Sequence, residues 1–173
     1  YLFRDMNKKI TVKDLRDLKG KKKLVSILVK NLDEAKAAHK VGFEMLATGS
    51  PGVYLNPDNH PEFEEIIEIR KTAPDAFMHW GAADTLYSGL IEATRVAFKA
   101  LEYGIDMFYC HNNFELIRGL YKEGIPGLGH VGLVPSRRTW TGGFKAVGKN
   151  SNEAMMIYDQ CLKIQDAGGV AIE

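Results

Sequence analysis

Three histidines are the residues of this chain best placed by type and spacing to do chemistry: His79, His111 and His130. Each stands at or near the end of a short apolar run, within or just after Phe77-Met78, Met107-Phe108-Tyr109-Cys110 and Gly127-Leu128-Gly129. A neutral imidazole can bind a transition metal, orient a carboxylate or pass a proton. For His79 and His111 two readings stand side by side. They bind a metal, where imidazoles suit zinc, iron or manganese better than magnesium, or they are hydrogen-bonded residues of a pocket without metal. Ser50, in Thr48-Gly49-Ser50-Pro51-Gly52, could grip a carboxylate with its hydroxyl and backbone N–H, or could serve the turn alone. Asp84 is a metal ligand or the N-cap of the helix that follows it. Cys110, inside an apolar run, reads as a buried and inert thiol.

Such distant positions meet only if the chain folds as parallel strands with a shared end. The pattern supports that. Apolar runs at 24–29, 44–47, 76–80, 106–110 and 127–131, with a sixth opening at Val170, alternate with amphipathic stretches at 32–41, 61–71, 86–103, 114–122 and 153–165. In the first amphipathic stretch Leu32, Ala35, Ala38 and Val41 recur at helical spacing, with Asn31 as N-cap and Gly42 as stop. In the second, Phe63, Ile66 and Ile67 share a side, with Arg70 at its edge. Strands alternating with helices at this pace imply βαβ units and a parallel sheet. No Gly-x-Gly-x-x-Gly follows the first strand and no phosphate loop occurs, which argues against a dinucleotide-binding fold. The expected fold class is therefore α/β, a (β/α)8 TIM barrel of which this chain covers the first five to six units.

The chain has 173 residues, 45% of them hydrophobic, which suits one domain, 1–173, with a real core. A formal net charge of +1 leaves no electrostatic footprint for nucleic acid. The basic cluster Lys19, Lys21, Lys22 and Lys23 reads as a solvated loop. Two cysteines, Cys110 and Cys161, without CxxC spacing indicate neither a disulfide scaffold nor a zinc ribbon, and a reducing cytoplasm is the expected location. No apolar run reaches the length of a membrane span, and Tyr1-Leu2-Phe3-Arg4-Asp5 is no signal peptide. The first residue is not methionine and the pattern stops at a sixth strand, so further residues are expected on both sides.

Two stretches resemble a known family. Lys8-Lys9-Ile10-Thr11-Val12-Lys13-Asp14-Leu15, followed by Leu18-Lys19-Gly20, is similar to the opening of ketopantoate hydroxymethyltransferases. Gly124-Ile125-Pro126, then Gly129-His130-Val131-Gly132-Leu133-Val134-Pro135, then Gly142-Gly143-Phe144-Lys145-Ala146-Val147-Gly148-Lys149 resembles that family's Gly-His-Leu-Gly-Leu-Thr-Pro and Gly-Gly-Tyr-Lys-Val-Gln-Gly stretches at matching spacing. The resemblance implies a barrel related to phosphoenolpyruvate mutase and isocitrate lyase, a cytoplasmic homo-oligomer of pantothenate biosynthesis. It implies transfer of a one-carbon unit from methylenetetrahydrofolate to a small branched 2-oxo acid, with magnesium holding the oxo acid and stabilising its enolate. It also implies a substrate-pocket role for His130 and a structural or site-lining role for Lys145.

The likeness breaks where the metal would sit. The family's Gly-Asp-Ser-Leu-Gly after strand two is Thr48-Gly49-Ser50-Pro51-Gly52 here: Ser50 matches, whereas Gly49 replaces the aspartate. A second family aspartate falls at Gly81 without gaps, or at Asp84 with a short slip. The family's Lys-x-Glu at the end of strand four becomes Tyr109 and His111, which puts Tyr109 with Ser50 and His130 among the substrate-binding candidates and His79, His111 and Asp84 among the metal candidates. The catalytic glutamate that follows strand six in the family has Glu173 as its nearest candidate, slightly early in the alignment. Arg137, Arg138 and Trp140 read as a loop, at a subunit contact. Two classes of function follow. One is an enzyme handling the enolate of a 2-oxo acid, by hydroxymethyl transfer or by a related aldol-type or C–C lyase reaction. The other is a non-catalytic barrel that keeps scaffold and assembly only.

Overall fold

The computed structural model describes residues 9–49, 63–82 and 89–173. Within them the expected alternation is realised. The strands are β1 (Ser26–Leu28), β2 (Met45–Gly49), β3 (Phe77–Gly81), β4 (Met107–Tyr109), β5 (Gly127–Gly129) and β6 (Ala171–Ile172), and the helices between them are α2 (Leu32–Lys40), α3 (Phe63–Thr72), α4 (Gly89–Glu102), α5 (Phe114–Lys122) and α7 (Ser151–Asp166). The strands form one sheet in sequence order, every pair parallel. That order leaves each crossover helix on the same side of the sheet, as a barrel requires.

Period-two alternation sorts the side chains. Leu46, Met78, Trp80, Phe108 and Cys110 point outward into the layer packed under the helices. There Ala93, Ala97 and Ala100 let α4 lie close to the sheet, and Trp80 meets Phe63 and Phe108 with ring centroids 5.2 and 5.8 Å apart. The opposite faces of the strands hold Phe77, Met107 and Leu128, which form a second cluster with Ile10. Each large side chain so buried contributes roughly 1.5–3 kcal/mol. The sheet curls: Leu28 at the end of β1 and Glu173 beyond β6 line one cavity with residues of the four strands between.

Helix ends follow the sequence signals. Asn31, Asn113 and Asn150 accept from backbone N–H groups three residues on, capping α2, α5 and α7. The third cap starts α7 at Ser151, two residues before the start expected from the apolar pattern. In α3 it is Ile66 and Ile69 that are buried, not the Ile66–Ile67 pair. Two elements were not expected from periodicity. The stretch after Ile10 forms α1 (Val12–Leu18), started by a capping box between Thr11 and Asp14, and Val12 and Leu15 pack against the second cluster, closing the N-terminal end of the strands. The segment read as a loop around Arg137 and Trp140 contains a 3-10 turn (Pro135–Arg137) and a single helical turn, α6 (Arg138–Thr141), ended by Gly142 in the left-handed region at φ 75°.

At the same N-terminal end, Arg70 forms a clasp. Its guanidinium donates to the carbonyls of Ala73, Ala76 and Gly104 and pairs with Asp106 at 2.7 Å. The Asp106 carboxylate also accepts from Met78 N–H and pairs with Lys9. This half-buried cluster thus joins α3, β3, the turn before β4 and the chain ahead of α1.

Candidate active site

The cavity, of about 190 Å³, lies at the C-terminal ends of the strands, where barrel enzymes keep their chemistry. It is lined by Leu28, Gly49, Gly81 and Pro135 and by the polar residues Thr48, His79, Tyr109, His111, His130 and Glu173. The register explains the convergence. Ala47 pairs with His79, Tyr109 with Leu128, and His130 N–H donates to the His111 carbonyl. Inward-facing positions two residues apart on β3, on β4 and its extension, and on β5 and its extension therefore meet around one opening.

Tyr109 is the centre of the cluster. Its hydroxyl is hydrogen-bonded to His130 Nδ1, and its ring is held edge-on by His111, centroids 4.8 Å apart at 79°, and by His130 at 5.7 Å and 65°. His111 adopts φ 50°, the left-handed region, which a residue with a Cβ enters at some cost and which concentrates at functional sites. On the far wall His79 Nε2 lies 3.5 Å from Ser26 Oγ. Burial pushes the His79 imidazole down to about 4, so it is neutral at physiological pH. His130, 8% exposed, is also held below its ordinary value, first by burial and then by His111, against the opposing pull of the Glu173 carboxylate and the Leu133 backbone. Cys110 faces away from the cavity with its thiol pushed up to about 12 by burial, in keeping with an inert structural role.

Of the residues singled out in the sequence, His79, His111, His130, Tyr109 and Glu173 are thus brought to one cavity. Ser50 and Asp84 lie outside the described residues. Lys145 is exposed on the segment after α6 and does not line the cavity, and Trp140 is 90% exposed. Sequence reasoning passed over Ser26, Thr48 and Pro135. Ser26 was legible in principle, since it stands two residues before Leu28 on the same strand face. Thr48, whose buried Oγ1 has no hydrogen-bond partner among the described residues, carried no such signal.

Among the described residues, Glu173 is the one carboxylate lining the cavity, and no group of three or more His, Cys, Asp or Glu is placed to hold a metal ion. Gly49, at the position of the family's aspartate, has φ 91°. A Cβ there would lie 2.2 Å from the Gly81 carbonyl oxygen and 2.7 Å from the Trp80 ring, so the backbone path itself excludes a carboxylate side chain.

Comparison with known proteins places this geometry. The family model of ketopantoate hydroxymethyltransferase matches residues 83–173. The 3-methyl-2-oxobutanoate hydroxymethyltransferase of a Thermus thermophilus strain is 32% identical, over 94% of this chain and 67% of that protein. That of Staphylothermus marinus is 28% identical, over 95% and 65%. The fold is that of the phosphoenolpyruvate mutase/isocitrate lyase barrels: 2,3-dimethylmalate lyase aligns with TM-score 0.63 at 15% identity, over 92% of this chain and 62% of that one. Phosphonopyruvate hydrolase, crystallised with oxalate and Mg++, aligns with TM-score 0.66 at 13% identity, over 94% and 62%. The chain belongs to the ketopantoate hydroxymethyltransferase family, as a divergent member. It spans about two thirds of the length of these relatives and about three fifths of these structures.

Proposed function

We propose that the protein is an enzyme that forms the enolate of a small branched 2-oxo acid at the barrel mouth and transfers a hydroxymethyl unit to it, with methylenetetrahydrofolate as the one-carbon donor. The observation that carries this reading is the convergence of His130, Tyr109, His111, His79 and Glu173 on one cavity at the strand ends of a chain of this family. A cavity near 190 Å³ suits a small substrate, since about 150 Å³ already holds benzene. Among the described residues, Glu173 is the cavity-lining carboxylate available to take the α-proton. Pantothenate biosynthesis, a cytoplasmic setting and homo-oligomeric assembly come with the family, as does a divalent metal, but the described residues supply no place for magnesium.

The test is proton exchange. Incubated in D2O with 3-methyl-2-oxobutanoate, the protein should wash out the C3 proton, followed by NMR. With methylenetetrahydrofolate added, the hydroxymethylated acid should appear by mass spectrometry. Exchange without transfer favours the second reading, an aldol-type or C–C lyase reaction on a related 2-oxo acid, which the altered Tyr109 and His111 positions support. No exchange with any small 2-oxo acid leaves a barrel that keeps its scaffold without the chemistry.

A further inference from the structure

Resting on the reading that this mouth takes a short 2-oxo acid, we infer that His79, oriented by Ser26, contacts a hydroxyl on the side chain of that acid. The site then prefers a 4-hydroxy-2-oxo acid to the same acid with a methyl group in place of the hydroxyl. This is the class that the proposed hydroxymethyl transfer forms and that a C–C lyase of the same kind consumes.

The row of side chains that holds His79 is otherwise apolar. Strand register sets Leu28, Ala47, His79 and Met107 side by side across β1 to β4, and Leu28, Ala47 and His79 line the cavity. An imidazole in such a row gives up water and needs a polar partner. Its Nε2 finds Ser26 Oγ at 3.5 Å, the long limit of a hydrogen bond. That contact spans from β3 to β1, and the strand between them carries the small Ala47 opposite His79. Burial holds the ring neutral, so it has one N–H donor and one acceptor nitrogen. With Nε2 turned to the serine, Nδ1 is donor or acceptor according to the direction of that bond. A hydroxyl answers either, since it both donates and accepts, whereas a methyl answers neither. A carboxylate would only accept, and would bring a charge into an apolar row. The polar cluster of Tyr109, His111 and His130 on the other wall is left to the keto-acid end. A site built to hydrogen-bond a hydroxyl rejects the analogue without it, because its own polar group is then left unpaired.

The probes are 4-hydroxy-3,3-dimethyl-2-oxobutanoate and 3,3-dimethyl-2-oxopentanoate, which differ by that single replacement. Neither has a C3 proton to lose, so their binding is read apart from α-proton removal. Calorimetry on the purified protein in magnesium chloride should show the hydroxy acid bound about tenfold or more tighter. His79→Leu, apolar and close in size, should reduce that preference to about twofold, chiefly by weakening the hydroxy acid. Ser26→Ala should reduce it by about threefold, because the serine acts through the imidazole. A His79 with a structural role alone would lower both affinities together and leave their ratio unchanged. Thermal melts confirm that each variant is folded, and Ser26, exposed on β1, supplies the test if His79→Leu does not fold. Equal binding of the two acids by the unaltered protein overturns the inference. So does an unchanged ratio in folded His79→Leu or, where that variant does not fold, in Ser26→Ala. Deuterium exchange into 3-methyl-2-oxobutanoate without a hydroxyl preference keeps the enolate reading and removes this inference alone. Absence of both binding and exchange removes the two together.

Discussion

Gly49 shows how one residue can set the chemistry of a site. Its φ of 91° is open to glycine, and the space a Cβ would need is taken by the Gly81 carbonyl. Gly49→Ala should therefore destabilise the protein by roughly 2–4 kcal/mol in urea unfolding, from strain and overpacking together. Gly49→Asp should do so at least as severely and should not create magnesium affinity. A stable Gly49→Asp protein that binds magnesium would show that the backbone can move aside. His79 makes a different residue-scale prediction. Its folded value, about 4, lies below the ordinary 6.5, so the unfolded chain binds the proton more readily and stability is lost as pH falls from about 6.5 toward 4. The full shift is worth about 3 kcal/mol. His79→Gln should remove that part of the acid sensitivity, seen as a smaller drop in urea midpoint between pH 7 and pH 4.5. An equal drop in both proteins would mean that His79 is solvated.

Among the elements, the clasp of Arg70 and Asp106 ties α3 to β3 and to the approach of β4. Removing Arg70 leaves Asp106 with Lys9 and Met78 N–H but takes the donor from three carbonyls, so Arg70→Ala should cost about 2 kcal/mol, and Arg70→Lys should recover little of it, because an ammonium cannot reach three carbonyls and a carboxylate at once. Chemical denaturation of the two variants distinguishes this from a dispensable surface pair. Elements were the most legible part of the sequence. Alternating apolar runs, with Asn31 as the asparagine cap read from sequence, placed five helices and six strands, because periodicity and capping are local. The clasp was not legible: Arg70 was read as the edge of a helix face, and Asp106 as the first residue of a strand. Their pairing depends on strand register, which no local window contains. The site was partly legible for the related reason that residues at strand ends must converge once strands are parallel. What stayed hidden was the left-handed turn of His111 and the Tyr109–His130 bond, both consequences of how β4 and β5 end side by side.

At the scale of the whole molecule, pairing is unequal across the sheet. The β2–β3 ladder spans five residue pairs, whereas β3–β4 and β4–β5 span two each. Hydrogen exchange should rank accordingly, with the Phe77 and Met78 amides, bonded to Glu44 and Asp106, protected nearly to global unfolding, and the Phe108 amide, bonded to Pro126 beside the shorter ladder, exchanging sooner. Uniform protection across all six strands would mean that the sheet opens only as a unit.

The burial of Cys110 has a practical consequence. A thiol that holds its proton to about 12 and faces the helix-packed layer offers no thiolate to an alkylating reagent, whereas Cys161 is partly exposed on α7. Within these 173 residues Cys161 is then the thiol open to labelling. A fluorophore or spin label attached under native conditions should report from α7 alone, one turn from Ile164, which packs against the strand that carries His130. Ligand entry at the mouth could then be followed without altering any residue of the site.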